Sequence, residues 1–193
     1  MDTIRDGKGG GYLAEVGSDN KLRVSSKSSS IQHNISAEEK QAYQVIGSAT
    51  LSSGTVTILH IKNTSSLLNM VITYLRHQVV GAAGGTAFPN SSNYFSISLG
   101  RTYSSGGSVA IPVNVNAGSG NTAQVLVYED GPTLTGTAKE IDRWYTKSDG
   151  DMNTFSKEGA LIIPPNSTME IAYIGDQTSG TIYARISFIM EEQ

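Results

Sequence analysis

The chain has 193 residues, with 14 Lys and Arg against 17 Asp and Glu, a formal net charge of -3, 21 glycines and no cysteine. That length suffices for one substantial domain of roughly 150 residues plus an appendage, so a core can be buried without disulfides or a structural metal. The missing cysteines exclude thiolate zinc sites and thiol redox chemistry, and the slightly acidic balance offers no general attraction to nucleic acid or an anionic membrane.

Met1 to Lys8 contains no apolar h-region, and nowhere do about 18 apolar residues follow one another, so neither a signal peptide nor a membrane span is expected and the chain reads as cytoplasmic in synthesis. The first notable text is DGKGGGYLAEVGSDNKLRV, Asp6 to Val24. A dinucleotide fingerprint needs a strand before its glycines and a helix after them, yet only six residues precede Gly7 and a short strand and turn follow Gly11. The one Gly-Lys pair, Gly7 and Lys8, is followed by Gly9, which excludes a phosphate-binding G-K-[ST] loop. The alternative is an extended arm. Its apolar pulses, Tyr12 to Val16 and Leu22 to Val24, flank a turn at Gly17 to Asn20 and lead into the serine-rich link Ser25 to Ser30. A piece this small is not expected to fold alone; its strands should join the domain's own sheet or a neighbour's by strand addition. Asp6, Gly7, Gly9, Tyr12, Leu13, Val16, Leu22 and Val24 are the residues expected to touch a partner. The division is an arm and linker over 1–36 and one domain over 37–193.

The domain reads as all-β. After a capping-box pattern at Ser36 to Glu39, the runs Thr55 to Ile61 and Leu68 to Leu75 are apolar on both faces, as in strands covered on both sides. Phe95, Ile97 and Leu99 alternate with Ser96 and Ser98; Val109, Ile111, Val113 and Val115 alternate with Ala110, Pro112 and Asn114; Ile182, Ala184, Ile186 and Phe188 alternate with Tyr183, Arg185 and Ser187. That period of two puts one row on a core and the other outside. Further strands are expected at Ala123 to Tyr128, Ala160 to Ile163 and Met169 to Ile174. Turn clusters fall at 52–54, 81–85, 89–92, 104–107, 118–120 and 164–167. Thr137 to Glu140 fits a second capping box, predicting a short helix with Ile141, Trp144 and Tyr145 on one face. Eight or nine strands at this spacing favour an antiparallel sandwich, specifically a jelly roll.

Charge is distributed unevenly. From Gln41 to Tyr128 there is no Asp or Glu, and Lys62, Arg76 and Arg101 are the only cations. Such a surface is either merely neutral or packed against neighbours, where charge is depleted. On the second reading Ser96 and Ser98 form an outward face for subunit contact.

Chemistry is sparse. His33, His60 and His77 show no metal-ligand spacing, and neither a G-x-S-x-G nor a cysteine nucleophile is present. No carboxylate lies between Lys40 and Glu129, so a paired-acid glycosidase would need both acids from the chain ends. Asp149, Asp151 and Asn153 match the start of a calcium loop, but Thr154 stands at the turn glycine and Ala160 at the bidentate glutamate, so a polar turn is the better account. The expectation is a non-enzyme with no cofactor and no metal.

The order DGKGGGYLAEVGSDNKLRV, a serine-rich link, then AEEKQAYQVIGSATL and TVTILHIKN resembles the opening of structural proteins of tailed bacteriophage particles; LIIPPNSTMEIAYI resembles the proline-turned strand pairs of viral jelly rolls. The resemblance covers about the first third of the chain and implies an assembly role in the virion: decorating or cementing a capsid, or serving in a neck, tail or fibre. It implies a homo-oligomer, most simply a trimer, that contacts the major capsid protein or other virion proteins, with no nucleic acid or membrane partner. A carbohydrate-binding sandwich is the alternative from another class, with Tyr94, Tyr103, Trp144 and Tyr145 as its candidate platform.

Overall fold

The computed structural model describes residues 4–5, 13–16, 22–23 and 41–192, with side chains for 41–156 and 161–192. The chain divides into two compact units, Met1–Ile31 and Gln32–Gln193. In the first, β1 (Ile4–Arg5), β2 (Leu13–Val16) and β3 (Leu22–Arg23) form a three-stranded antiparallel sheet of their own. Both apolar pulses thus contain strands, and these pair with each other.

The second unit is an antiparallel β-sandwich. Its strands are β4 (Ala42–Thr50), β5 (Gly54–Asn63), β6 (Leu68–Ala83), β7 (Tyr94–Leu99), β8 (Thr102–Ser105), β9 (Ser108–Val109), β10 (Val113–Asn114), β11 (Val125–Glu129), β12 (Thr133–Thr135), β13 (Lys139–Tyr145), β14 (Met152–Ile163), β15 (Thr168–Gly175) and β16 (Ser179–Glu192). A five-stranded sheet has the order β10-β4-β16-β6-β14, a six-stranded sheet the order β13-β7-β15-β5-β11-β9, and β12 and β8 form a separate ribbon. The core lies between the two large sheets. Tyr43, Val45, Ile72, Leu75, Ile186 and Phe188 come from one sheet, and Ile58, Leu59, Ile61, Phe95, Ile97, Ile171 and Tyr173 from the other.

Sequence explains the turns as well as the strands. Between β14 and β15, Pro165 presets φ and Asn166 takes φ 61°, while the Ser167 N–H donates to the Pro164 carbonyl at 3.1 Å. Asp130 and Gly131, both with positive φ, turn the chain between β11 and β12. Gly47 serves packing instead of turning, since a Cβ there would collide with the Leu59 side chain; its absence lets β4 approach β5.

Three expectations are corrected here. The segment after Thr137 is the edge strand β13, paired with β7, and not a helix. A one- or two-turn helix has no stability of its own to set against a ladder that runs from Lys139↔Leu99 to Tyr145↔Tyr94. A register shift between Glu140 and Asp142 accompanies the bidentate Glu140–Arg143 ion pair, which a regular strand would place on opposite faces. Trp144 packs inward, its ring 4.6 Å from that of Phe155. The other capping-box pattern, at Ser36 to Glu39, lies outside the described residues.

The second correction concerns Val109 to Val115. The span is broken into two short edge strands, and its aliphatic row faces outward; Ala110 is the residue that enters the core.

The third concerns Ser96 and Ser98. They are on the outer face of their sheet, but only 3% and 5% exposed. Their cross-strand neighbours are Arg143 and Ala172 for Ser96, and Glu140 and Glu170 for Ser98. Residues so covered by their own chain have no surface to offer a partner. The same burial accounts for part of the charge-poor stretch, because β5 and β7 are covered on both faces.

Candidate interaction surface

The outer face of the six-stranded sheet is closed by the β8–β12 ribbon, and a polar cluster sits beneath it. Glu170 on β15 is 3% exposed; its Oε1 accepts a hydrogen bond from Thr57 Oγ1 at 2.6 Å and from Arg101 Nη1 at 3.1 Å. Arg101 also donates through Nη2 to the Leu134 carbonyl, and its own carbonyl lies 3.1 Å from His60 Nε2. Burial lowers the His60 pKa, with the Arg101 carbonyl and the Glu170 charge acting against it. His60 is thus a hydrogen-bonded strand residue. Next to it, Tyr103 of β8 stacks face to face on Tyr128 of β11 at 3.6 Å. The cluster ties the ribbon to the sheet, and within it His60 Nδ1 is buried without a hydrogen-bond partner.

Three further polar features are structural. Asn93 is fully buried: Nδ2 donates to Asp176, and Oδ1 accepts from the Tyr173 hydroxyl at 2.7 Å and the Asp176 N–H. Hydrogen bonds from Thr86 and Asn93 hold the Asp176 carboxyl down to about 2. Asn63, equally buried, donates to the carbonyls of Leu68 and Ile163. Asp149 receives the backbone N–H groups of Gly81 and Ala82, and Gly150 takes φ 77°, so the calcium-like text forms a turn that grips the end of β6. Among the described residues no three His, Cys, Asp or Glu are grouped to hold a metal ion, and no helix is long and apolar enough to cross a membrane.

What is left is a surface. Along β9, the connecting residues and β10, Val109, Ile111, Val113 and Val115 are 65%, 79%, 67% and 55% exposed. Two ladders position them. β9 pairs with β11 through Val109↔Tyr128, at the edge of the six-stranded sheet; β10 pairs with β4 through Val113↔Gln44, at the edge of the other. The Ala110 N–H donates to the Val127 carbonyl and the Val115 N–H to the Ala42 carbonyl. The chain therefore crosses the open side of the sandwich, anchored at both ends, with its small and polar row inward. Exposed Leu126 on β11 and Ile46 on β4 lie beside it on the two sheets. Apart from Glu129 at one end of β11, the strands carrying this strip have no Asp, Glu, Lys, Arg or His.

The residues expected to touch a partner through the arm fall as follows. Leu13 and Val16 are on β2 and Leu22 is on β3, with side chains outside the described set; Asp6, Gly7, Gly9, Tyr12 and Val24 lie outside the described residues altogether. Of the aromatic platform candidates, Trp144 is packed inward, Tyr103 is covered by Tyr128, and Tyr94 is covered by the Arg143 guanidinium at 4.1 Å. The aliphatic strip is legible in the sequence only as a strand. Its one signal is Pro112, which suits an edge position and not a sheet interior. No family model matches the chain, and no curated protein matches its sequence.

Proposed function

We propose that this chain is a non-enzymatic structural protein of a bacteriophage particle, decorating or cementing the capsid, that self-associates through the strip from Val109 to Val115. The observation that carries the reading is the contiguous row of exposed aliphatic side chains on the open side of the sandwich. Monomeric proteins rarely expose such a patch, and a strip without charge neither repels a second copy nor must desolvate ions to meet one. β9 and β10 also leave one edge unpaired in each sheet, and natural sheets protect such edges. Strand order supports the virion reading at the level of fold: the interleaving of β4-β16-β6-β14 opposite β13-β7-β15-β5 suits a jelly roll, an architecture recurrent in capsid proteins. A neck, tail or fibre position is the alternative within the same class. The proposed assembly is a trimer, attached to the particle through residues 1–36.

Light scattering after size exclusion should give a multiple of the 20.5 kDa chain mass, most simply three. Ile111→Asp and Val113→Asp should return the monomer mass while shifting stability by less than about 0.5 kcal/mol, since both side chains are exposed in the isolated chain. Removal of residues 1–36 should preserve the oligomer and abolish binding to purified particles. A wild-type monomer at micromolar concentration, or unchanged mass in both Asp variants, would count against the strip; undiminished particle binding by the shortened chain would count against the arm.

A further inference from the structure

The outer face of the five-stranded sheet carries a second surface of different chemistry. Three cross-strand rows lie side by side on it: Gln44, Ser187, Tyr74 and Ser156; Ile46, Arg185, Arg76 and Thr154; Ser48, Tyr183, Gln78 and Met152. Two arginines stand at the centre of these twelve positions, which hold no acid. Arg185 and Arg76 are direct cross-strand partners, an arrangement in which like charges repel. Among the described residues neither has a carboxylate within ion-pair distance, although Glu140 and Glu170 each have an arginine. The Nε of each guanidinium is buried and without a hydrogen-bond partner.

The two side chains line a cleft of about 230 Å³ with Ile46, Gln78, Met152 and Tyr183. Arg76 donates to the Tyr74 hydroxyl at 3.2 Å. Hydrogen bonds with Thr154 and Arg76 lower the Tyr74 pKa, and the Arg185 charge adds to the effect, so the positive potential is felt across the face. Guanidinium forks match a carboxylate in bidentate fashion. Around them the cleft presents an exposed aromatic ring, a side-chain amide and a thioether, which suits a compact polyhydroxylated body with one apolar face and not a bare ion.

We infer that this cleft binds a carboxylate-bearing sugar residue, of the hexuronate class, within an acidic polysaccharide: Arg76 and Arg185 hold the carboxylate, Tyr183 supports the ring and Gln78 meets a hydroxyl. The site goes beyond the assembly role: it is centred on Arg185 and Arg76 of β16 and β6, while the exposed row is carried by β9 and β10 and reaches the same face only at its end, where Val113 pairs with Gln44. It would let a particle-borne protein adhere to a charged glycan surface.

The test is calorimetric titration of the full-length protein with a glucuronate-containing oligosaccharide, its carboxyl-reduced neutral counterpart, and poly-glutamate. The expected result is binding of the acidic oligosaccharide alone, weakened by salt, with a loss of at least about tenfold in both Arg185→Gln and Tyr183→Ala, the scale of one charge-assisted contact. Oligomer mass and melting temperature should be unchanged in Arg185→Gln, because no intramolecular ion pair is lost. Equal binding of poly-glutamate would assign the cleft to an acidic protein and overturn the sugar. Undiminished binding in Arg185→Gln, or no binding of the acidic oligosaccharide at millimolar concentration, would overturn the site.

Discussion

Replacing His77 by phenylalanine should make the protein more resistant to acid. His77 is buried on β6, its ring 3.8 Å from that of Phe95 and 5.6 Å from Phe155, and neither ring nitrogen has a hydrogen-bond partner. Burial among apolar rings disfavours the imidazolium and lowers the pKa to about 4. The sign follows from linkage. Above the unfolded value near 6.5 both states are neutral and the native state has its full stability; as pH falls from there toward 4, the unfolded chain takes up a proton that the native chain refuses. Stability therefore declines by about 1.4 kcal/mol per pH unit, or about 2 kcal/mol by pH 5, from this group alone. His60, also lowered, acts in the same direction. His77→Phe keeps a flat ring in the stack and sacrifices no hydrogen bond. Urea unfolding at pH 7.5 and pH 5 should show a wild-type midpoint that falls with acid and a variant midpoint that falls less. Identical pH dependence in the two proteins would mean that His77 is solvated or charged in the native state.

The second large effect concerns Arg101 and Glu170. Arg101→Met should destabilise the sandwich by about 3 kcal/mol, because it leaves a buried carboxylate with Thr57 as its remaining side-chain donor. It also cuts the tie from Nη2 to the Leu134 carbonyl, loosening the β8–β12 ribbon. The double variant Arg101→Met with Glu170→Gln should recover much of the loss, since the buried charge is then gone while Thr57 keeps an acceptor. Denaturant midpoints of the three proteins separate the terms. A single Arg101 variant within about 0.5 kcal/mol of wild type would show that water reaches Glu170.

The two arginines of the five-stranded sheet and the one beneath the ribbon illustrate how far sequence reading goes. Arg76 and Arg101 are conspicuous as two of three charges in a long neutral stretch, but nothing in their spacing tells that one is paired with Glu170 and the other set against Arg185. Those pairings join residues 69 apart in one case and on separately placed strands in the other. Glu170 is ordinary in sequence; its importance arises from the ribbon that covers it.

The class of fold and most of its punctuation are written locally in the chain. Period-two alternation, β-branched runs and the Pro-Asn and Asp-Gly turns are properties of a few neighbouring residues, and they locate β5, β7 and β15 with little error and the middle half of β16. Which side of a strand is covered is a different matter, because alternation specifies two faces without saying what packs on each. Thus Ser96 and Ser98, polar and outward, are buried by the chain's own cross-strand neighbours, while Val109, Ile111, Val113 and Val115, apolar and expected inside, are exposed because their strand runs along an edge where only Ala110 can reach the core. The predicted helix at Thr137 fails for a related reason: β7 needs a neighbour, and a ladder with a preformed sheet outweighs the propensity of a few residues. Turns and strand faces are decided within a few residues of chain; burial and pairing are decided by partners dozens of residues away, and only the tertiary structure supplies those.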